Sequence, residues 1–488
     1  MGGKMDRRTE ILSARNLTMM TDLYQLTMMY GYFKKGMAKN EAVFDMFFRP
    51  LKTSSYAMMA GLENLVYYIQ NLHFTQDDVA YLRSLNLFDE DFLENLKTLK
   101  FTGEIYSVPE GTVVFPGEPL IRVKAPIMQA QLIETALLTF VNHQTLIATK
   151  ASKVRYAAGS DTVMEFGLRR AQGADAGIYG ARSAIIGGCD STSNVLTGQM
   201  FDIPVCGTHS HSWVMSFPDE VSAFRAYAEV FPHACLLLVD TFDTLRSGVP
   251  NAIKVFNELR AKGYEPLGIR LDSGDLAYLS KRARIMLDEA GFHNATICAS
   301  SDLDETVIRD LKIQGACISS WGVGTQLITS GDNPALGGVY KLSAEIVDGV
   351  THPRIKLSDS AFKVTTPGYK KIVRLYDRSG KATADLIMLA DETVDETKPL
   401  TIFDPLQTYK RLTLTNFKAR ELLVPIFVDG ELVYKLPDMH EICAYAKTEI
   451  ESLWDEYKRS MNPHIYKVDL SDRLYALKQS MIDEYVKA

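Results

Sequence analysis

The segment GTHSHSW, Gly207 to Trp213, sets His209 and His211 two residues apart among small polar residues, directly after an apolar run. An imidazole in such a place can be a general base, a metal ligand or a nucleophile toward phosphorus. Two histidines at this spacing resemble the zinc pair of barrel amidohydrolases, which also want a lysine, more histidines and an aspartate on later strand ends. Those later ends carry no histidine, and His233 and His293 stand at the wrong ends of their runs. The plainer alternative is a pair of ordinary hydrogen-bonded turn histidines. Anion binding fits the surroundings better. Arg169, Arg170, Arg270 and Lys341 offer cations, and the turns SSDLD and WGVGTQL offer backbone N–H groups that can cradle phosphate. No GxxxxGK followed by Ser or Thr occurs, so any use of ATP needs a binding mode other than a Walker loop. Asp272 and Asp275, after the run PLGIRL, suit ribose hydroxyls, Mg²⁺ or a developing sugar cation, with Asp272 the better placed.

Elements that position these groups are legible as a rhythm. The runs TVMEFGLRRA, FDIPVCGTHSHSW, ACLLLVDTFDT, PLGIRLDSGD, ATICASSD and ACISSWGVGT read as strands that stop abruptly in Asp, Ser, Thr, Gly or Arg. Helical patterns such as DEVSAFRAYAEVF and LAYLSKRARIMLDEAG separate them, which is the signature of parallel βα units. Reacting groups in barrels and open sheets sit at C-terminal strand ends, so the series predicts one shared site. Some of these polar residues, Asp304 among them, are expected only to cap helices. Before this region, LTMMTDLYQLTMMYGYFKKG and AGLENLVYYIQNL read as helices. EAVFDMFFRP reads as a strand, Gly103–Ile127 as short antiparallel strands, and Gln129–Gly159 as one long or bent helix. After Leu342 the hairpin YKKIVRLYDRSGKATADLIML and charged helices close the chain.

At 488 residues the chain is long enough for two or three domains. Its net charge of −7 is interspersed, with no basic stripe for nucleic acid and no polybasic segment for a membrane surface. Six scattered cysteines without a CxxC predict reduced thiols in a cytoplasmic, soluble protein, and no apolar run approaches a membrane span or a signal peptide.

Nine segments together resemble the nicotinate phosphoribosyltransferase family, a type II phosphoribosyltransferase family. They are MTDLYQLTM, EFGLRRAQG, GGCDSTSNV, GTHSHSW, IRLDSGDL, SSDLDE, GVGTQL, LGGVYKL and NPHIYKVDLS, running in order from Met20 to Ser471. The resemblance implies an irregular, TIM-like α/β barrel with a second α/β sandwich-like domain. It divides the chain into an N-terminal α/β domain (1–135), a catalytic barrel (136–345) and a C-terminal segment (346–488) that partly completes the first domain and ends in helices. It also implies a homodimer with shared active sites. The implied reaction, in the salvage route to NAD, joins nicotinate to phosphoribosyl pyrophosphate and is coupled to ATP hydrolysis with Mg²⁺ present, so that the enzyme is formally classed as a ligase.

Residue by residue, the resemblance makes His211 the histidine phosphorylated by ATP and His209 local structure. It places Tyr24 of a neighbouring subunit and Phe166 on the two faces of the pyridine ring, with Arg169 beside them. Arg270 and Asp272 would hold pyrophosphate and ribose, while Asp302, Gly324 and Thr325 would bracket the 5′-phosphate, and Ser301, Thr208 and Lys341 complete the substrate-binding set. Asp190, Ser191 and Thr192 lie where nicotinamide-using relatives place an aspartate. Spacing from Gly180 sets Ser191 or Thr192 at that point, which favours nicotinate. The rivals are a nicotinamide phosphoribosyltransferase, a quinolinate enzyme, a metal-dependent barrel hydrolase and a non-catalytic binding protein with the same fold.

Overall fold

The computed structural model describes residues 15–360 and 363–487. The chain forms two compact units. One comprises the residues up to Thr149 together with Ala335 onward, and the other is Lys150–Pro334. The chain passes from the first to the second inside the helix Glu134–Ala158.

The first unit is mixed α/β. Its seven-stranded sheet has Glu41–Phe48 near the centre, paired antiparallel with Gly338–Val347 on one side and Ile121–Pro126 on the other. Phe44, Met46 and Phe48 project from that strand into a core shared with Leu62, Leu65 and Ile69 of the helix Leu62–Gln70. The long apolar stretch after Ile127 is broken at Ile133, giving helices Ile127–Leu132 and Glu134–Ala158. The hairpin of Lys370–Tyr376 and Ala382–Leu389 lies at the centre of a four-stranded sheet, with Lys418–Glu421 antiparallel on one edge and Lys467–Leu470 parallel on the other. Inside it the wholly buried Arg374 donates to Asp385 and Glu449 and to the Val113 carbonyl. A buried guanidinium persists only when its donors are matched in this way.

The second unit carries a parallel sheet of six strands in the order Ser191–Thr192, Thr162–Glu165, Ser320–Val323, Thr296–Ser301, Gly268–Leu271, Leu236–Leu238. Continuous apolar character in Leu236–Leu238 and Ile297–Ala299 reflects burial on both faces, as parallel sheets require. Aspartates start the connecting helices. Asp219, Asp275 and Asp304 each accept backbone N–H groups at the N-termini of Glu220–Val230, Leu276–Glu289 and Glu305–Ile313, so Asp275 as well as Asp304 is a cap.

Two expectations change here. The run FDIPVCGTHSHSW is not a strand: only the single bridge Thr192↔Val205 forms, flanked by Pro204, which has no N–H to give a ladder. For the same reason the six-stranded ladder does not close into a barrel; its edges are Ser191–Thr192 and Leu236–Leu238. The segment Val205–His209 nonetheless touches both edges. Cys206 N–H bonds to the Thr192 carbonyl at 3.0 Å, and the Thr208 hydroxyl donates to the Leu236 carbonyl at 2.5 Å. Leu238 N–H then donates to His209 Nε2 at 3.2 Å.

Candidate active site

The strand Gly268–Leu271 carries Arg270 toward its C-terminal end, and three neighbouring chain segments receive its guanidinium. Nε donates to Ser300 Oγ at 2.8 Å, Nη2 to Asp272 Oδ1 at 3.0 Å, and Nη1 reaches the His209 carbonyl at 3.5 Å. Ser300 is buried and donates its own hydroxyl hydrogen bond to the same Asp272 oxygen. Burial alone would raise the Asp272 carboxyl; the Ser300 and Arg270 hydrogen bonds and the charges of Arg270 and His211 outweigh it and hold the group below its ordinary value. Asp272 is therefore an ionised acceptor at neutral pH.

Asp240, at the end of Leu236–Leu238, ties this turn to the next strand. Its Oδ2 accepts Asp272 N–H at 2.9 Å and the Ser273 hydroxyl at 2.6 Å, whereas its Oδ1 is buried with no hydrogen-bond partner among the described residues. His211 is the first residue of the helix His211–Met215. Its ring lies with Nε2 3.7 Å from Asp272 Oδ2 and Nδ1 3.2 Å from the Thr241 hydroxyl, and its side chain is 39% exposed. His209 is its opposite. It is 7% exposed, its ring packs edge-on to Tyr227 at 4.7 Å, and burial pushes its pKa down to about 4. Because Nε2 accepts the Leu238 N–H, the ring is the neutral Nδ1–H tautomer and has no lone pair left for a metal.

Phe166 follows the strand Thr162–Glu165, and its ring lies 5.8 Å from the Arg270 guanidinium carbon. Gly322 makes room for that ring, since a Cβ there would stand 2.5 Å from Phe166 Cδ2. Ser301 ends its strand at φ 145°, a region that only glycine enters freely, beside Gly324 at the start of the short helix Thr325–Ile328. Register sets Ser301 opposite Val323, so Ser301, Asp302, Gly324 and Thr325 gather at the same C-terminal sheet edge as Asp272.

Other residues singled out from sequence are placed differently. Arg169 and Arg170 belong to a 3-10 turn, Leu168–Arg170, rather than an extended strand, so alternation does not set them on opposite faces; both are exposed. Asp190 lies at the N-terminal end of the sheet, away from the cluster, where it accepts Val163 N–H at 2.7 Å and pairs with Arg155. Ser191 donates to Cys206 Sγ at 2.8 Å, and the buried Thr192 donates to Glu165 at 2.6 Å. Thr208 spends its hydroxyl on Leu236. Tyr24 and Lys341 belong to the other unit. Tyr24 is exposed on the helix Leu23–Lys34, and Lys341 sits opposite Asp45 in the antiparallel ladder. Sequence reasoning missed Asp240, Thr241, Ser300 and Glu165. The signal for Asp240 was present in the abrupt stop of ACLLLVD; the others depend on which strands are neighbours.

Sequence models for the N-terminal and C-terminal domains of nicotinate phosphoribosyltransferase match residues 19–142 and 369–478. A nicotinate phosphoribosyltransferase of Bacillus subtilis (strain 168) is 49% identical over 471 residues, 96% of each chain. The chain belongs to the nicotinate phosphoribosyltransferase family. A Homo sapiens member is 34% identical over 522 residues, covering 95% of this chain and 96% of its own. A crystal structure of human nicotinic acid phosphoribosyltransferase superposes with a TM-score of 0.82 at 33% identity, covering 95% of this chain and 99% of that one. Among the described residues no helix is long and apolar enough to cross a membrane.

Proposed function

We propose that the chain joins nicotinate to phosphoribosyl pyrophosphate, releasing nicotinate mononucleotide and pyrophosphate for NAD synthesis, and couples this to ATP hydrolysis through phosphorylation of His211. The observation that carries the reading is the cluster of Arg270, Ser300, Asp272 and His211 at one end of the parallel sheet. Arg270 is locked in place by Ser300 and Asp272, so its remaining N–H groups are pre-oriented for pyrophosphate oxygens. Asp272, kept ionised, accepts from ribose hydroxyls and steadies positive charge as the C1–oxygen bond to pyrophosphate breaks. The pyridine nitrogen is unprotonated near neutral pH and attacks C1 without a general base. Phe166 offers one stacking face, and in a homodimer Tyr24 of the neighbouring subunit would offer the other.

When His211 donates Nδ1–H to Thr241, its Nε2 lone pair is free to attack the γ-phosphorus of ATP, forming a P–N bond and releasing ADP. The resulting anion stands beside Asp272 and Asp240. Asp272 and the unpartnered oxygen of Asp240 are the carboxylates at this strand end that would hold Mg²⁺, which would neutralise pyrophosphate charge there. We read the sheet as one side of an irregular barrel whose gap is filled by Val205–His209, and the protein as cytoplasmic. Asp190 supports nicotinate over nicotinamide as the base, because its carboxylate is engaged by Arg155 and Val163 and is turned away from the cluster. His209 weighs against a metal-dependent hydrolase, since both ring nitrogens are already committed.

The test is incubation with γ-labelled ATP, followed by acid-labile label and nicotinate mononucleotide formation with and without ATP. Wild type and His209→Ala should take up label, and His211→Ala should not. Label retained in His211→Ala would sink the assignment, and equal product formation with and without ATP would sink the coupling.

A further inference from the structure

A cavity of about 270 Å³ lies within the first unit, between the strand Glu41–Phe48 and the last helix, Asp472–Lys487. Phe47, Pro119, Ile387, Leu406, Leu470 and Ile482 give it apolar walls. Two ammonium groups line it, and they differ in company. Lys370 is buried and matched, with Nζ 2.6 Å from Asp45 Oδ2 and donating to the Gly368 carbonyl at 2.9 Å. Lys478 has only neutral acceptors, the Val364 carbonyl at 3.5 Å and the Thr366 hydroxyl at 3.3 Å, both at the long limit of a hydrogen bond. Among the described residues no carboxylate lies within 4 Å of it. A cation drawn out of water without a counter-ion is costly, so this site favours whatever anion can enter.

We propose that this cavity binds a small organic monocarboxylate, its carboxylate on Lys478 Nζ and its apolar body against Phe47, Ile387 and Leu470. Charge count sets the valence: Asp45 already neutralises Lys370, leaving Lys478 as the one unmatched cation among the lining residues. Size sets the class. The volume falls just below the roughly 300 Å³ at which small-molecule pockets begin, so the body has only a few carbons. No arginine is among the lining residues to supply the bidentate fork that phosphate groups favour. Burial, with the Lys370 charge nearby, pushes the Lys478 ammonium down to about 8, and an anion seated beside it reverses that shift. The inference is independent of the transferase reading.

The experiment follows Lys478 itself. Full-length protein is reductively methylated with formaldehyde and cyanoborohydride at pH 8, and the rate at Lys478 is read by peptide mass spectrometry against the exposed Lys418. Hexanoate at about 10 mM is expected to slow Lys478 at least threefold and leave Lys418 unchanged, because the proton it stabilises blocks the amine. Hexanamide, of the same shape without charge, and inorganic phosphate, charged without an apolar body, should each do neither. An unchanged Lys478 rate in hexanoate overturns the proposal, as does equal slowing by hexanamide or by phosphate. As a second reading, hexanoate should raise the unfolding temperature of the wild type by about 2 °C and leave that of Lys478→Met unmoved. The same rise in both proteins counts against the site.

Discussion

His209 and His211 are two residues apart, and the structure predicts opposite consequences for changing them. Replacing His209 by Ala strips Leu238 N–H of its acceptor, and a buried unsatisfied N–H costs about 1–3 kcal/mol. Loss of the ring from its packing against Tyr227 and Phe224 adds roughly 1–2 kcal/mol, so destabilisation of about 2–5 kcal/mol is expected. His209→Gln, whose amide oxygen can reach the same N–H, should recover much of it. Titration provides a second signature. The folded pKa of about 4 lies below the ordinary 6.5, so the unfolded chain binds the proton more tightly and stability rises with pH between those values. The contribution is complete above pH 6.5 and is lost as pH falls toward 4, up to ~3 kcal/mol in all. Urea midpoints measured every half unit from pH 7.5 to 4.5 would show this slope in wild type and a flatter one in His209→Gln. A wild-type slope preserved in His209→Gln, or a His209→Ala protein as stable as wild type, refutes the edge-bridging role.

Gly322→Ala drives a Cβ into the Phe166 ring, so the nicotinate KM should rise about tenfold or more with kcat less affected, in steady-state assays at saturating phosphoribosyl pyrophosphate. Ser300→Ala removes the hydroxyl that joins Arg270 to Asp272; a net loss equivalent to one charge-assisted bond, about 1.5–3 kcal/mol, should lower kcat/KM for phosphoribosyl pyrophosphate by roughly ten- to a hundredfold. It should also let the Asp272 carboxyl rise, moving the acid limb of the pH–rate profile to higher pH, and an unmoved limb would count against Asp272 as the group observed. Asp190→Ala should leave the preference for nicotinate over nicotinamide unchanged, because its carboxylate points to Arg155; a shift in base preference would show that Asp190 reaches the ring.

Groups whose placement is set within one strand and its turn were legible in the sequence. Arg270 and Asp272 stand out because charge at the end of an apolar run has no packing reason to be there. Ser300 did not, and could not. Its value lies in being beside Arg270, which follows from Thr296–Ser301 pairing in parallel with Gly268–Leu271 in a sheet whose strand order is not its chain order. Asp190 shows the converse limit of linear spacing. Linear spacing brought it near Ser191 and Thr192, yet it precedes a two-residue strand that runs toward the site, so one position upstream is the far end of the sheet. The βα rhythm survived translation into structure because burial on both faces demands it, whereas closure did not, because Pro204 interrupts the run expected to complete the ladder.

That interruption also explains the spacing of the two histidines. A regular strand through Val205–His211 would have set His209 and His211 on one face, equally exposed or equally buried. Instead the chain leaves the Thr192 edge after one bridge, crosses to Leu236 and Leu238, and is anchored there by the His209 ring before Ser210 opens the helix His211–Met215. His209 takes over work that backbone hydrogen bonds do elsewhere in the sheet, and does so as a neutral ring in a dry setting. Once that anchor is set, the start of the next helix is fixed over the end of Gly268–Leu271, which is why His211 faces Asp272 while remaining open to solvent. A side chain that closes a gap and a side chain that faces Asp272 are thus consecutive consequences of one break in the ladder. The HSH pattern resembles a metal pair only in the linear sequence.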